Sequence, residues 1–168
     1  RAPLAPGLYQ VRVAARDERS RRTGSAMQWI EIPDLSKGNL SLSSLFLGER
    51  GAPTPETKED AGPRAIMVNV DHRFQRSSVL RFQTYVYNAA RGAGSPDVRI
   101  QAQVFRNKRQ VMSTSLDKVP VVGDLARLPF WSEIALQSLP PGRYVLQVTA
   151  TDRVANRTAT ERVNFYVE

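Results

Sequence analysis

The sequence predicts an all-β protein, and three observations carry that prediction. Several stretches alternate apolar and polar residues with a period of two, the pattern of a strand with one buried face. Pro and Gly punctuate the gaps between them, and no segment reads convincingly as a helix. A strand-opening motif also occurs twice: Leu4-Ala5-Pro6-Gly7-Leu8-Tyr9 returns as Leu139-Pro140-Pro141-Gly142-Arg143-Tyr144, 135 residues later.

That match runs on without a gap. Val13 meets Val148, Ala15 meets Ala150, Asp17 meets Asp152, and Arg22-Thr23 meets Arg157-Thr158. Nine of 30 positions from Leu4 to Pro33 are identical, where random pairing gives roughly two. Each copy reads as a β-hairpin. Pro and Gly make a tight turn, Pro by fixing φ and Gly by permitting a positive one. Tyr144, Leu146, Val148 and Ala150 then alternate with polar or smaller residues, as Tyr9, Val11, Val13 and Ala15 do in the first copy. Asp152 opens a polar loop, and the chain returns through Val163, Phe165 and Val167, with Ile30 and Ile32 at the matching positions of the first copy.

Between the hairpins the elements follow in order. Leu40 to Leu47 is a strand candidate that mixes Ser with Leu and Phe. Residues 48–64 hold three Pro, three Gly and four acids without apolar periodicity, which predicts a long, mobile surface loop. Ile66, Val68 and Val70 alternate. Leu80 to Asn88 is the most strand-like stretch, rich in aromatic and β-branched residues. Ala89 to Pro96 is a Gly-containing connection. Val98, Ile100, Ala102 and Val104 form a half-exposed strand, and Asn107-Lys108 suits a tight hairpin turn before Val111 to Leu116. Asp124 to Leu128 fits a single helical turn at most, and Phe130 to Leu136 leads into the second Pro-Gly motif.

A hairpin that closes a domain suits the last two strands of an immunoglobulin-like β-sandwich. On this reading residues 1–34 are the terminal hairpin of a preceding, truncated sandwich domain, and residues 35–168 form a complete one. An isolated hairpin is marginal in water, so the first copy is expected to pack on the second domain or to pair with another chain.

Composition narrows the function. The apolar fraction of 41% suits a globular protein. No run of about 18 apolar residues marks a membrane span. The absence of Cys excludes disulfides, thiolate nucleophiles and Cys-ligated zinc. The net charge of +8 comes from Arg, with Lys only at Lys37, Lys58, Lys108 and Lys118. A basic surface attracts polyanions, but Arg19, Arg21 and Arg22 are the nearest approach to a cluster, and Asp17 and Glu18 adjoin them. Basic and aromatic residues are not interleaved as base stacking requires, so the pattern argues against nucleic acid as partner.

Leu-x-Pro-Gly-x-Tyr followed by alternation and Asp resembles the corner and penultimate strand of Cys-free bacterial immunoglobulin-like and fibronectin type III-like domains. The resemblance implies that Tyr9 and Tyr144 are tyrosine-corner residues whose hydroxyls bond to upstream backbone, with Gly7, Gly142, Asp17 and Asp152 as its turn residues. A wider resemblance rests on GLYQVRVAARD, SAMQWIEIPDLSKGNLSLSSLFLGE, LRFQTYVYNAARG, DVRIQAQVFRNKRQV and LPPGRYVLQVTATDR. These phrases resemble the C-terminal region of VWFA-related proteins of acidobacterial type. That likeness implies an exported bacterial protein with an extracytoplasmic location. The metal motif of the A domain, Asp-x-Ser-x-Ser, is not reproduced: in Asp34-Leu35-Ser36-Lys37-Gly38 a Gly replaces the second Ser.

Catalytic groups find little support. His72 beside Asp71 would make a general base, but adjacent strand residues point to opposite faces. No Gly-x-Ser-x-Gly elbow and no Gly-rich phosphate loop occurs. Asp17 and Asp152 lack the Asp-x-Asp or Asp-x-Asn neighbours of a calcium site and suit Asx turns. No catalytic, metal or cofactor residue is therefore assigned. The expected function is a structural or protein-interaction module whose partner is another protein or a neighbouring domain. The alternative is a carbohydrate-binding module in which Trp131, or Tyr85 and Tyr87, serve as the sugar platform.

Overall fold

A computed structural model describes residues 4–50 and 66–168. They fall into two compact units, Arg1–Asn39 and Leu40–Glu168. Helix among the described residues is confined to a three-residue 3-10 turn, Leu35–Lys37.

The first unit is a hairpin of β1 (Gly7–Arg16) and β2 (Thr23–Ile32), followed by that turn. Asp34 caps the turn by accepting from the Ser36 amide, and Gly38 ends it at φ 66°. The segment that most resembles a metal motif is thus a capped turn. On the odd-numbered face of β1, Val11 is 42% exposed and Val13 60%.

The second unit begins with β3 (Ser41–Leu42), β4 (Phe46–Arg50), β5 (Ile66–Val68), β6 (Arg73–Phe74) and β7 (Val79–Tyr87). A small hairpin of β8 (Arg91–Gly92) and β9 (Ser95–Pro96) comes next, then β10 (Val98–Arg106), β11 (Arg109–Ser113) and β12 (Asp117–Lys118). The unit closes with β13 (Arg127–Ala135), β14 (Gly142–Asp152) and β15 (Arg157–Val167). Apart from β8 and β9, which pair with each other, these strands make two sheets. The smaller runs β13-β7-β4-β5, with β3 also on β7; the larger runs β11-β10-β14-β15-β6, with β12 also on β10.

The chain passes from β7 in one sheet to β10 in the other, back to β13, and returns to β14 and β15. That interlocked path is the Greek key of an immunoglobulin-like sandwich. One core lies between the sheets, as strand parity requires. Leu80, Phe82 and Val86 of β7, with Leu128, Phe130 and Ile134 of β13, face Val98, Ile100, Ala102 and Val104 of β10. Tyr144, Leu146, Val148 and Ala150 of β14 complete it.

Several expected elements take a different form. Leu40 to Leu47 is not one strand. Leu42 sits opposite Val86 but Phe46 opposite Gln83, so one extra residue enters between them, a β-bulge. Ser43 replaces the broken ladder: its hydroxyl accepts from the Tyr85 amide at 3.0 Å and its carbonyl from Thr84 Oγ1 at 3.1 Å. The slip keeps Leu40, Leu42, Leu45 and Leu47 all buried and turns Phe46 outward.

The loop expected over 48–64 starts later, because Gly48–Arg50 belong to β4. Gly48 allows this, since a Cβ there would lie 2.2 Å from the Met67 carbonyl oxygen of β5. The rest of that loop lies outside the described residues. Val70 does not continue β5. It is 85% exposed, and Asn69 instead folds a turn by accepting from Asp71 N and donating to the Arg73 carbonyl. Asp124 to Leu128 forms a turn closed by Arg127 N to Asp124 O, and β13 starts at its end. Asn107 and Lys108, both at positive φ, make the tight turn between β10 and β11.

Candidate interaction surfaces

The two hairpins coincide bond for bond. An offset of 135 residues carries Gly7 opposite Ile32 onto Gly142 opposite Val167, and Arg16 opposite Thr23 onto Thr151 opposite Thr158. The Tyr9 hydroxyl donates to the Ala5 carbonyl at 2.7 Å, and the Tyr144 hydroxyl to the Pro140 carbonyl at 2.5 Å. Asp17 Oδ1 accepts from the amides of Arg19 and Ser20; Asp152 Oδ1 accepts from those of Val154 and Ala155. Arg21 and Asn156 share a left-handed backbone, at φ 54° and 51°.

The surroundings differ. Tyr144 is buried, stacked on Phe165 and covered by the Arg106 guanidinium, 5.4 Å from its ring centroid. Arg106 also donates to the Pro141 carbonyl, so that it clasps the corner. Asp152 is fully buried, and its second oxygen accepts from the Ala90 amide at 2.7 Å. Asp17 is exposed. The backbone amides of Ser20 and Arg19 hold its carboxyl below the usual range, and the Ser36 hydroxyl and amide do the same for Asp34.

The outer face of the smaller sheet carries the remaining candidates. Odd-numbered residues of β7 point outward: Arg81, Gln83, Tyr85 and Tyr87. Trp131 of β13 and Phe46 of β4 flank Gln83 in one row, each 42% exposed. The indole lies against Arg81, whose guanidinium carbon is 5.0 Å from the ring centroid. Arg81 is 2% exposed although it belongs to an outer face, and Glu133 holds it through both Nε, at 3.0 Å, and Nη2. A pinned cation thus lies over the Trp131 ring, which stays half-exposed. Tyr85 and Tyr87 are half-buried. Arg127 lies over the Tyr85 ring at 4.8 Å, and Gln83 donates to the Tyr85 hydroxyl.

Sequence reasoning singled out Trp131, Tyr85 and Tyr87 but missed Phe46, Arg81 and Glu133. Parity along β7 would have placed Arg81 on the face of Tyr85; its burial depends on Trp131, fifty positions away.

The outer face of the larger sheet carries a polar row. Arg162 Nε donates to Gln147 Oε1, Gln147 Nε2 to Gln103 Oε1, and Gln103 Nε2 to Gln110 Oε1, a row across four strands. His72 sits in a turn at φ 52° and contacts the Asn164 carbonyl through Nδ1. Among the described residues no three His, Cys, Asp or Glu gather as a metal site, and no helix is long and apolar enough to cross a membrane. Comparison with protein-family models and with curated proteins finds no match.

Proposed function

We propose that this chain is a non-catalytic immunoglobulin-like module that works as spacer and protein-interaction surface, its first hairpin being a second copy of the sandwich-closing hairpin. One observation carries the reading. The first hairpin reproduces the register, tyrosine bond and Asp turn of the second, yet the face that the second buries is open at Val11 and Val13. An uncovered apolar sheet face is a binding surface or an aggregation hazard. The resemblance to the C-terminal region of VWFA-related proteins supports a setting in a larger exported bacterial protein, with a neighbouring domain or another protein as partner.

The test is apolar-dye binding by the full chain. The unmodified protein is expected to bind the dye, and Val11→Lys with Val13→Lys to abolish that signal while the sandwich melts as before. A folded chain that binds no dye would remove the reading.

A second reading, a carbohydrate-binding module, is favoured by the half-exposed Trp131 beside Gln83 and Glu133. Titration with soluble oligosaccharides should then shift indole emission, and Trp131→Ala should abolish the shift. The same response in the variant, from Trp29, would dismiss this platform.

A further inference from the structure

We infer that the open edge of β1 is an acceptor for one added β-strand: an extended segment, antiparallel to β1, with apolar residues at every second position. The inference rests on reading the first hairpin as a copy of the second, because the second shows what such a hairpin takes. There β10 pairs along β14, setting Val104 opposite Leu146, Ala102 opposite Val148 and Ile100 opposite Ala150. Transferred by the repeat offset, the same strand would set its apolar residues opposite Val11, Val13 and Ala15.

The backbone of β1 is oriented for this. Asp17 N donates to the Arg22 carbonyl across the hairpin, so odd-numbered residues of β1 bond to β2. The even-numbered amides, Leu8, Gln10, Arg12, Ala14 and Arg16, point to the other edge. Among the described residues no strand pairs there. In the second unit Arg153 N donates to the Asp97 carbonyl, on the same alternation, towards the β10 side. Exposed edges are commonly blunted by Pro or brevity. β13 carries Pro129, whereas β1 is a ten-residue strand without Pro.

The choice of β1 over β2 has its own support. The far edge of β15, which corresponds to that of β2, is paired by a described strand only where Tyr166 and Val167 meet β6. A hairpin of this type thus closes a sandwich with one edge taken along its length and the other met by a described strand at its end. Strand addition of this kind gains affinity from main-chain bonds and specificity from alternate side chains.

The experiment appends a second copy of residues 98–106 to the N-terminus of the full chain through a short Gly/Ser linker, which gives millimolar effective concentration. Antiparallel pairing brings the end of that copy beside Gln10, close to the start of β1. Hydrogen exchange is then compared with a control whose appended copy carries Ile100→Asp, Ala102→Asp and Val104→Asp. The expected result is about tenfold or greater slowing at Leu8, Gln10, Arg12, Ala14 and Arg16, absent in the control. Slowing at Ser25, Met27 and Trp29 instead would overturn the choice of edge. Shifts of the Val11 and Val13 methyl groups without amide protection would overturn strand addition but leave the apolar binding face standing. No change in either would remove both.

Discussion

Two tyrosines and two aspartates in equivalent geometry show how surroundings set the weight of a bond. Tyr144→Phe removes a hydroxyl that bonds the Pro140 carbonyl from a buried ring, and it should cost about 1 to 2 kcal/mol in urea denaturation. Asp152→Asn should cost about 2 kcal/mol, because one side of the amide must present N–H to an N–H, either at Ala90 or at Val154 and Ala155. A Tm equal to that of the unmodified chain would show that neither group is held as described. Asp17 gives the pH response. Its carboxyl is depressed by the Ser20 and Arg19 amides, so the turn has this support above the ordinary carboxyl range and loses it as pH falls through the depressed value. Carbon-detected titration should find Asp17 below that range, with the Arg19 and Ser20 amides exchanging faster once it is protonated. The Asx turn at Asp152 was legible in the sequence. Its third donor was not, since Ala90 is brought in by a non-local crossing.

At the level of the strand, alternation carried most of the information. Leu80 to Asn88, Val98 to Val104 and the hairpin through Tyr144 all keep one parity, and their buried faces follow from it. The pattern fails where parity changes within an element. In Leu40 to Leu47 the signal was present: the leucines shift from even to odd positions across Ser43-Ser44, the cost of a bulge that lets both halves face the core. Two-residue strands such as β6 carry no periodicity to read. Gly48 marks the closest approach of two strands, and Gly48→Ala should cost about 2 kcal/mol or detach β5 from β4, because the new methyl would meet backbone. A denaturation midpoint unchanged within error would show that β5 passes at a greater distance.

For the molecule as a whole, composition and the repeat were enough to give an all-β sandwich, while the candidate site was only half legible. Exposed rings are named by parity, but the pinned Arg81 beneath Trp131 arises from packing between strands distant in sequence. The two units should also differ in stability. β14 sits between two partners over a filled core, whereas among the described residues β1 and β2 pair only with each other. Native-state exchange should therefore release the β1 and β2 amides well before those of β7, β10 and β14; equal protection would mean that the first hairpin is held by more than its own ladder. Sidedness follows from the side-chain row Arg162, Gln147, Gln103 and Gln110. Each of these groups engages its neighbour, so the row is braced from strand to strand while its two ends, Gln110 and Arg162, stay exposed. The two sheets of the sandwich therefore present unlike flanks, one tied across four strands by polar side chains and the other bearing the half-exposed rings of Trp131 and Phe46.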